Sequence, residues 1–355
     1  MTVSQEQWKQ LEGLEGSALK GRVFTIIQDT ALDIQTSDID DPAVLNVVPR
    51  LAHLLETHPE LASFQIAFSA LARATGLWNY IDKDTADERD AALAEAVTID
   101  ELDDITLHRE QIAALNILLE GGNLVLSAPT SFGKSILIDA LLASGRYRRV
   151  AIVLPTVALL DEFRRRIERR FTSRFSLVMY HSQSAPPSGN VIFLGTQERL
   201  INRPDIGHLD LAVVDEFYKL DPSRQDDCSL TLNAAVYQLL RRSEQFFFLG
   251  PNIETVRYSA DSRWKFEFLH TRFSTVAVDT FDLRSIKNKE MKLTEELRKQ
   301  NNWPALVFIS SPDRANTLAS TLAKTEHFAS VRDFPEWIDN NFGQNWELSV
   351  CPESS

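Results

Sequence analysis

The segment Ser127-Ala-Pro-Thr-Ser-Phe-Gly-Lys-Ser135 constrains this chain more than any other. A short apolar run, Asn123-Leu-Val-Leu, precedes it and reads as a buried strand, and a helix-like run, Ile136-Leu-Ile-Asp-Ala-Leu-Leu, follows. A loop placed between a strand and a helix start directs backbone N–H groups and the positive end of the helix dipole at one point, which favours a polyphosphate. The general pattern is G-x-x-x-x-G-K-[ST], and here Ala128 stands where the first Gly is expected. Lys134 is expected to reach the β- and γ-phosphates, with the Ser135 hydroxyl on Mg²⁺.

With 355 residues, 44% hydrophobic and 25% charged, the chain is long enough for two or three domains with proper cores. Its two cysteines, Cys228 and Cys351, make no framework and no metal-ligand spacing, so a reducing compartment is expected. The polar start lacks a signal-peptide layout, and no apolar run approaches the length of a membrane span, so the expected location is cytoplasmic with no membrane partner. The net charge of −13 is unevenly spread. Residues 1–100 carry 17 acidic against 7 basic residues, while the remainder carries 33 against 30, which leaves room for a local basic groove beyond residue 100.

Residues 1–100 read as a helical, acidic accessory region: Leu45, Val48, Leu51, Leu54 and Leu55 recur at helical spacing, with breaks at Asp41-Pro42 and across the Asp82-to-Asp90 stretch. From about residue 101 strands and helices alternate. The strand-like runs are 124–126, 150–154, 176–180, 191–194, 209–214 and 246–249, and several are too continuously apolar for a one-sided sheet. The expectation is an α/β fold with a parallel sheet, a RecA-like domain over 101–283 closed by alternating segments from Trp264 to Asp282. A linker and helix follow over 284–303, and an incomplete second RecA-like domain over 304–355.

Asp215-Glu216-Phe217-Tyr218 ends the apolar strand 209–214, 81 residues after Lys134. It has the form of a Walker B strand, in which Asp215 holds Mg²⁺ and Glu216 orients and deprotonates the attacking water. Taken together, these motifs resemble the superfamily 2 DExD/H-box helicases. That family commonly has Ala at the position of Ala128, and Thr130 and Gly133 also fall in its pattern. The resemblance implies a nucleotide-binding set of Gln111, Thr130, Ser131, Phe132, Gly133, Lys134 and Ser135, with ATP and Mg²⁺ as cofactors. Gln111, 23 residues before Lys134, resembles the family's adenine-reading Gln; the alternative is a solvated Gln on a helix.

Pro155-Thr156 resembles motif Ia, and Gly195-Thr196-Gln-Glu-Arg199 resembles motif Ib; both are implied to contact nucleic-acid phosphates, of single- or double-stranded DNA or RNA. Arg164, Arg165, Arg166, Arg169 and Arg170 on the following helix read either as a nucleic-acid surface or as a solvated face. Gly250-Pro251-Asn252 stands at the place of motif III, which links hydrolysis to strand movement; the family usually has Ser-Ala-Thr there, and Asn252 is positioned to bond the Asp215-Glu216 loop. The variant Asp-Glu-Phe-Tyr together with Gly-Pro-Asn looks similar to bacterial helicases associated with anti-phage defence.

Leu306-Val-Phe-Ile-Ser-Ser resembles motif IV, the opening strand of a second RecA-like domain. Motifs V and VI are then expected, the latter carrying arginine fingers worth about 10³–10⁵ in rate, yet no arginine follows Arg332. The expectations are therefore an ATP-dependent helicase or translocase whose sequence is a truncated or split form, with a partner protein supplying the missing half or a defence effector. The alternative is a nucleotide-binding interaction module without hydrolysis of its own; a nonfunctional remnant is the third option.

Overall fold

The computed structural model describes residues 8, 10–11, 13–36, 41–154, 156–221, 223, 227–251, 253–257, 262–299 and 305–325. Two compact units divide the chain, residues 1–278 and 279–355.

The first unit opens with helices α1 (Gly16–Thr36), α2 (Pro42–Leu45), α3 (Val47–Thr57), α4 (Gln65–Thr75) and α5 (Glu88–Ala96). On α1 the buried residues Leu19, Val23, Ile26 and Ile27 form one stripe, and Val48 and Leu51 of α3 with Phe68 and Leu71 of α4 meet it in a core of their own. Gly76 ends α4 in the left-handed conformation, φ 80°, which a residue without Cβ adopts at no steric cost. Asp87 caps α5 by accepting the Asp90 N–H at 2.8 Å. A two-stranded antiparallel ribbon, β1 (Thr98–Ile99) and β2 (Ile105–Thr106), leads into α6 (Arg109–Leu119).

The sheet that follows has seven strands: β3 (Leu124–Ser127), β4 (Arg149–Val153), β5 (Ser176–Val178), β6 (Val191–Gly195), β7 (Leu209–Val214), β8 (Ser243–Gly250) and β9 (Glu267–His270). They lie in the order β5-β6-β4-β7-β8-β3-β9, every pair parallel. Between them run α7 (Lys134–Ala143), α8 (Val157–Phe171), α9 (Gln197–Ile201) and α10 (Asp227–Leu240). Side chains alternate across the sheet. Leu124, Leu126, Ile152, Val213 and Phe247 pack on one face with Leu137 and Leu141 of α7 and Phe163 and Ile167 of α8. Val125, Ala151, Val153, Phe193, Val214 and Phe248 pack on the other with Leu200 of α9 and Leu232 and Val236 of α10. Burial of both faces is the reason these runs are apolar throughout. The sequence expectation of a parallel, doubly covered RecA-like sheet agrees with this architecture. Two details differ: β5 stops at Val178, and between Trp264 and Asp282 only β9 is a strand.

In the second unit, α11 (Lys289–Leu297) is capped by Asn288, whose side chain accepts the Met291 N–H at 3.0 Å, and α12 (Pro312–Thr325) follows. The strand expected at Leu306–Ser311 is not formed. No neighbouring strand among the described residues takes up its backbone hydrogen bonds, and Leu306 and Phe308 stand 99% and 89% exposed. Most of the remaining candidate second domain, residues 326–355, lies outside the described residues.

Candidate nucleotide site

Parallel strands offer binding sites beyond their carboxyl ends, and β3 delivers the phosphate-loop candidate there. The Ala128 N–H donates to the Gly250 carbonyl at 3.2 Å, so the loop leaves β3 anchored to the end of β8. Thr130–Phe132 form one 3₁₀ turn, and Gly133 then enters the left-handed region, φ 75°, as the residue before α7. Two constraints demand Gly there: the positive φ, and a β-carbon that would stand 2.8 Å from Gln111 Nε2. Lys134 and Ser135 open the first turn of α7, which no side chain caps. Lys134 Nζ donates to the Ala128 and Pro129 carbonyls, each at 2.9 Å, which holds the cation over its own loop. Burial pulls the Lys134 ammonium below its usual value, and Asp215 opposes that shift.

Asp215 follows β7, one strand over from β8, and its N–H donates to the Val153 carbonyl at 3.1 Å. Burial raises its carboxyl above the usual range; the Glu216 charge adds to this, while the Glu216 N–H, donated to Asp215 Oδ1 at 2.8 Å, and the Lys134 charge oppose it. Lys134 and Asp215 thus sit in each other's field although they come from strands with β8 between them. Glu216 holds φ 52°, unusual for a residue with a side chain, and pairs with Lys219. The turn it opens brings Phe217 against Gly250.

Gln111 is buried, not solvated. Its Oε1 accepts the His108 N–H at 3.1 Å and its Nε2 donates to the Phe132 carbonyl at 2.9 Å, so its amide is bonded to the phosphate loop's own turn. His108 is the reciprocal half of this capping box. Its Nδ1 accepts the Gln111 N–H at 3.3 Å, and its Nε2 lies 3.1 Å from the Phe132 carbonyl, which assigns the neutral ring with the proton on Nε2. Burial pushes His108 down to about 4. Sequence reasoning passed over His108, because the usual capping signature has Ser or Thr at that place.

On the far side of the sheet, β4 and β6 are neighbours, so Thr156 and Thr196 follow adjacent strand ends. Thr156 caps α8 by accepting the Leu159 N–H at 3.4 Å; Thr196 occupies the corresponding position before α9. At Gly195 a β-carbon would stand 3.2 Å from Cβ of Arg199, and the Arg199 guanidinium lies over the Tyr180 ring at 5.6 Å. Pro155 and Asn252 lie outside the described residues. Pro251 takes part in a different junction: the Ser127 hydroxyl lies 2.8 Å from both the Pro251 and Ile253 carbonyls and accepts the Ile253 N–H.

Four of the five arginines of α8 have local carboxylate partners. Arg166 and Arg170 both reach buried Asp139 of α7, Arg170 also reaches Asp103, and Arg164 and Arg165 pair along the helix with Asp161 and Glu168. No helix of the described residues is long and apolar enough to cross a membrane.

Residues 108–250, the stretch from His108 to the end of β8, match the model of the DEAD/DEAH box helicase family. This part of the chain is a DEAD/DEAH box helicase domain. The chain containing it is similar to Anti-bacteriophage protein B of Escherichia coli (strain K12), 31% identical over 315 residues, 85% of this chain and 43% of the relative. The chain thus spans less than half the length of that relative. Among solved structures it matches a Sulfolobus solfataricus SWI2/SNF2 ATPase core in complex with dsDNA at 15% identity and a TM-score of 0.33, covering 41% of this chain and 32% of that one. A likeness of that size adds nothing to the assignment.

Proposed function

We propose that the helicase domain binds ATP and Mg²⁺ at the Ala128–Ser135 loop and couples hydrolysis to movement along, or separation of, nucleic acid. The observation that carries this reading is that Lys134 and Asp215 follow strands of one parallel sheet and lie within reach of each other's charge, beside a helix start that no side chain caps. The donor set fits the group. Backbone N–H groups and Lys134 suit a polyphosphate, and the Ser135 hydroxyl with the Asp215 carboxylate suits a hard, oxygen-seeking cation. A bound Mg²⁺ neutralises charge on the transferring phosphoryl group. Glu216, held next to Asp215 in a left-handed turn, is the proposed base that takes the proton of the attacking water.

Thr130, Ser131, Phe132 and Gly133 shape the cradle, and Gly250 with Pro251 links it to the Asp215 turn. Thr156, Thr196, Gly195 and Arg199 are the proposed phosphate contacts of a nucleic-acid strand, DNA or RNA, and such contacts position a strand without reading its sequence. We place the chain in anti-phage defence on its similarity to Anti-bacteriophage protein B. A second reading, a nucleotide-binding module whose turnover requires a partner protein, draws on the exposed apolar segment at Leu306 and Phe308.

Hydrolysis of ATP by the chain, measured with and without single-stranded DNA or RNA at one salt concentration, tests the reading. Stimulation by one polymer, lost in Lys134→Ala, supports a motor. Nucleotide binding without turnover in either polymer supports the module, and equal nucleotide affinity in Lys134→Ala sinks both.

A further inference from the structure

The phosphate-loop turn is held from a direction that the helicase motifs do not include. After β9 the chain crosses the loop: the Thr271 N–H donates to the Ser127 carbonyl at 3.0 Å, and the Thr275 hydroxyl donates to the Ser131 carbonyl at 2.7 Å. The Ser131 and Ser274 hydroxyls lie 3.0 Å apart. This strap, residues 271–276, is itself gripped by the N-terminal helical region. Phe273 is buried in the core that Leu19, Val48 and Phe68 build, its ring stacks on His108 at 4.7 Å, and the Arg109 guanidinium lies 5.6 Å from its centre. The Tyr80 hydroxyl donates to the Thr275 carbonyl at 2.6 Å. Arg109 continues the connection on the other side, its N–H donating to the Gly76 carbonyl at 2.9 Å.

We propose that the 271–276 strap is a latch through which the N-terminal helical region positions the nucleotide-binding turn, with Thr275 and Tyr80 as its positioning residues. The inference rests on the nucleotide reading given above and extends it by assigning the helical region a part in nucleotide affinity. The physical argument is one of ordering. A Gly-ended loop with a single 3₁₀ turn has few bonds of its own, so fixing the Ser131 carbonyl from outside removes conformers that a bound phosphate would otherwise have to exclude. One face of the turn is fixed by Gln111 and His108 through the Phe132 carbonyl, and the other by Thr275 through the Ser131 carbonyl. Because Tyr80 belongs to the helical region, any ligand that displaces Tyr80 from Thr275 acts on the loop without touching it.

The test compares wild type, Thr275→Val, Thr275→Ser and Tyr80→Phe in the full chain, with Lys134→Ala as the control. Two quantities are read: amide hydrogen exchange of residues 130–136 without nucleotide, and affinity for a fluorescent ATP analogue. Expected are faster exchange in that segment alone and about tenfold weaker nucleotide binding in Thr275→Val, the loss of one half-buried hydrogen bond. Thr275→Ser restores both, and Tyr80→Phe shows the same local exchange change with about threefold weaker binding. Unchanged loop exchange in Thr275→Val and Tyr80→Phe overturns the latch, as does faster exchange spread evenly over the sheet strands. Failure of wild type to bind the analogue removes the nucleotide reading alone, and the exchange arm still decides whether the strap orders the loop.

Discussion

Gly250 lies so close to Phe217 that a β-carbon at position 250 would stand 2.7 Å from Cε1 of the ring. The end of β8 and the turn that carries Asp215 and Glu216 are therefore packed together through the absence of one methyl group, and the same Gly250 offers its carbonyl to the Ala128 N–H. The phosphate loop and the Asp215 turn are joined structurally through Gly250, while Asn252, the residue expected to link them, lies outside the described residues.

Gly250→Ala is expected to push Phe217 aside, costing about 1–3 kcal/mol of stability and lowering the hydrolysis rate about tenfold. In a Phe217→Leu background the smaller side chain leaves room, and the stability cost of Gly250→Ala should shrink. Urea unfolding of the four chains checks this; strictly additive costs would count against the contact.

Glu216→Gln retains the size of the side chain and removes the proposed base. Turnover should fall by about 10²–10⁴ while nucleotide affinity stays within about twofold, because Lys134 and Ser135 are untouched. Single-turnover hydrolysis beside equilibrium binding separates the two effects, and a normal rate would assign the proton transfer to another group.

His108 supplies a pH dependence with a definite sign. Its folded value, about 4, lies below the ordinary 6.5, so the unfolded chain binds the proton more readily. The stability it contributes is fully present above pH 6.5 and is lost as pH falls from 6.5 toward 4. Between pH 6.5 and 5 the loss from this group is about 2 kcal/mol. His108→Asn retains a capping acceptor for Gln111 and should flatten that part of the stability profile, measured by urea unfolding across pH; an unaltered slope would mean that other groups cause it.

Asp139 is buried between Arg166 and Arg170, and burial raises its carboxyl although both guanidiniums oppose the shift. Asp139→Asn takes the countercharge from Arg166, leaves Arg170 with Asp103 alone, and is expected to cost about 3 kcal/mol. Thermal unfolding of the variant reads the cost, and a shift of less than a degree or two would mean that the arginines find solvent or Asp103 instead.

The arginine run on α8 shows where a linear reading stops. Five arginines in seven residues read equally well as a nucleic-acid surface or a solvated face, and neither describes Arg166 and Arg170, which turn inward to an aspartate 27 and 31 residues away. Gln111 shows the same limit from the other side: its distance from Lys134 marked it as a nucleotide residue, while its bond to the Phe132 carbonyl required the folded loop. The strand expected at Leu306 fails for the related reason that a strand exists only beside a partner.

The sequence alone determined the features that depend on short spans of chain. Among these are the strand, loop and helix around Lys134, the requirement for Gly at position 133, the doubly buried apolar strands, and the placement of Asp215 and Glu216 at the end of β7. Local conformation and side-chain periodicity act over a few residues, and a few residues suffice to read them. Only the tertiary structure decided that Phe217 meets Gly250, that Arg166 and Arg170 close on Asp139, and that Thr275 reaches Ser131 across 144 positions of the chain. Those pairings follow from the order in which parallel strands are laid side by side, a consequence of packing both faces of the sheet that no short stretch of residues encodes.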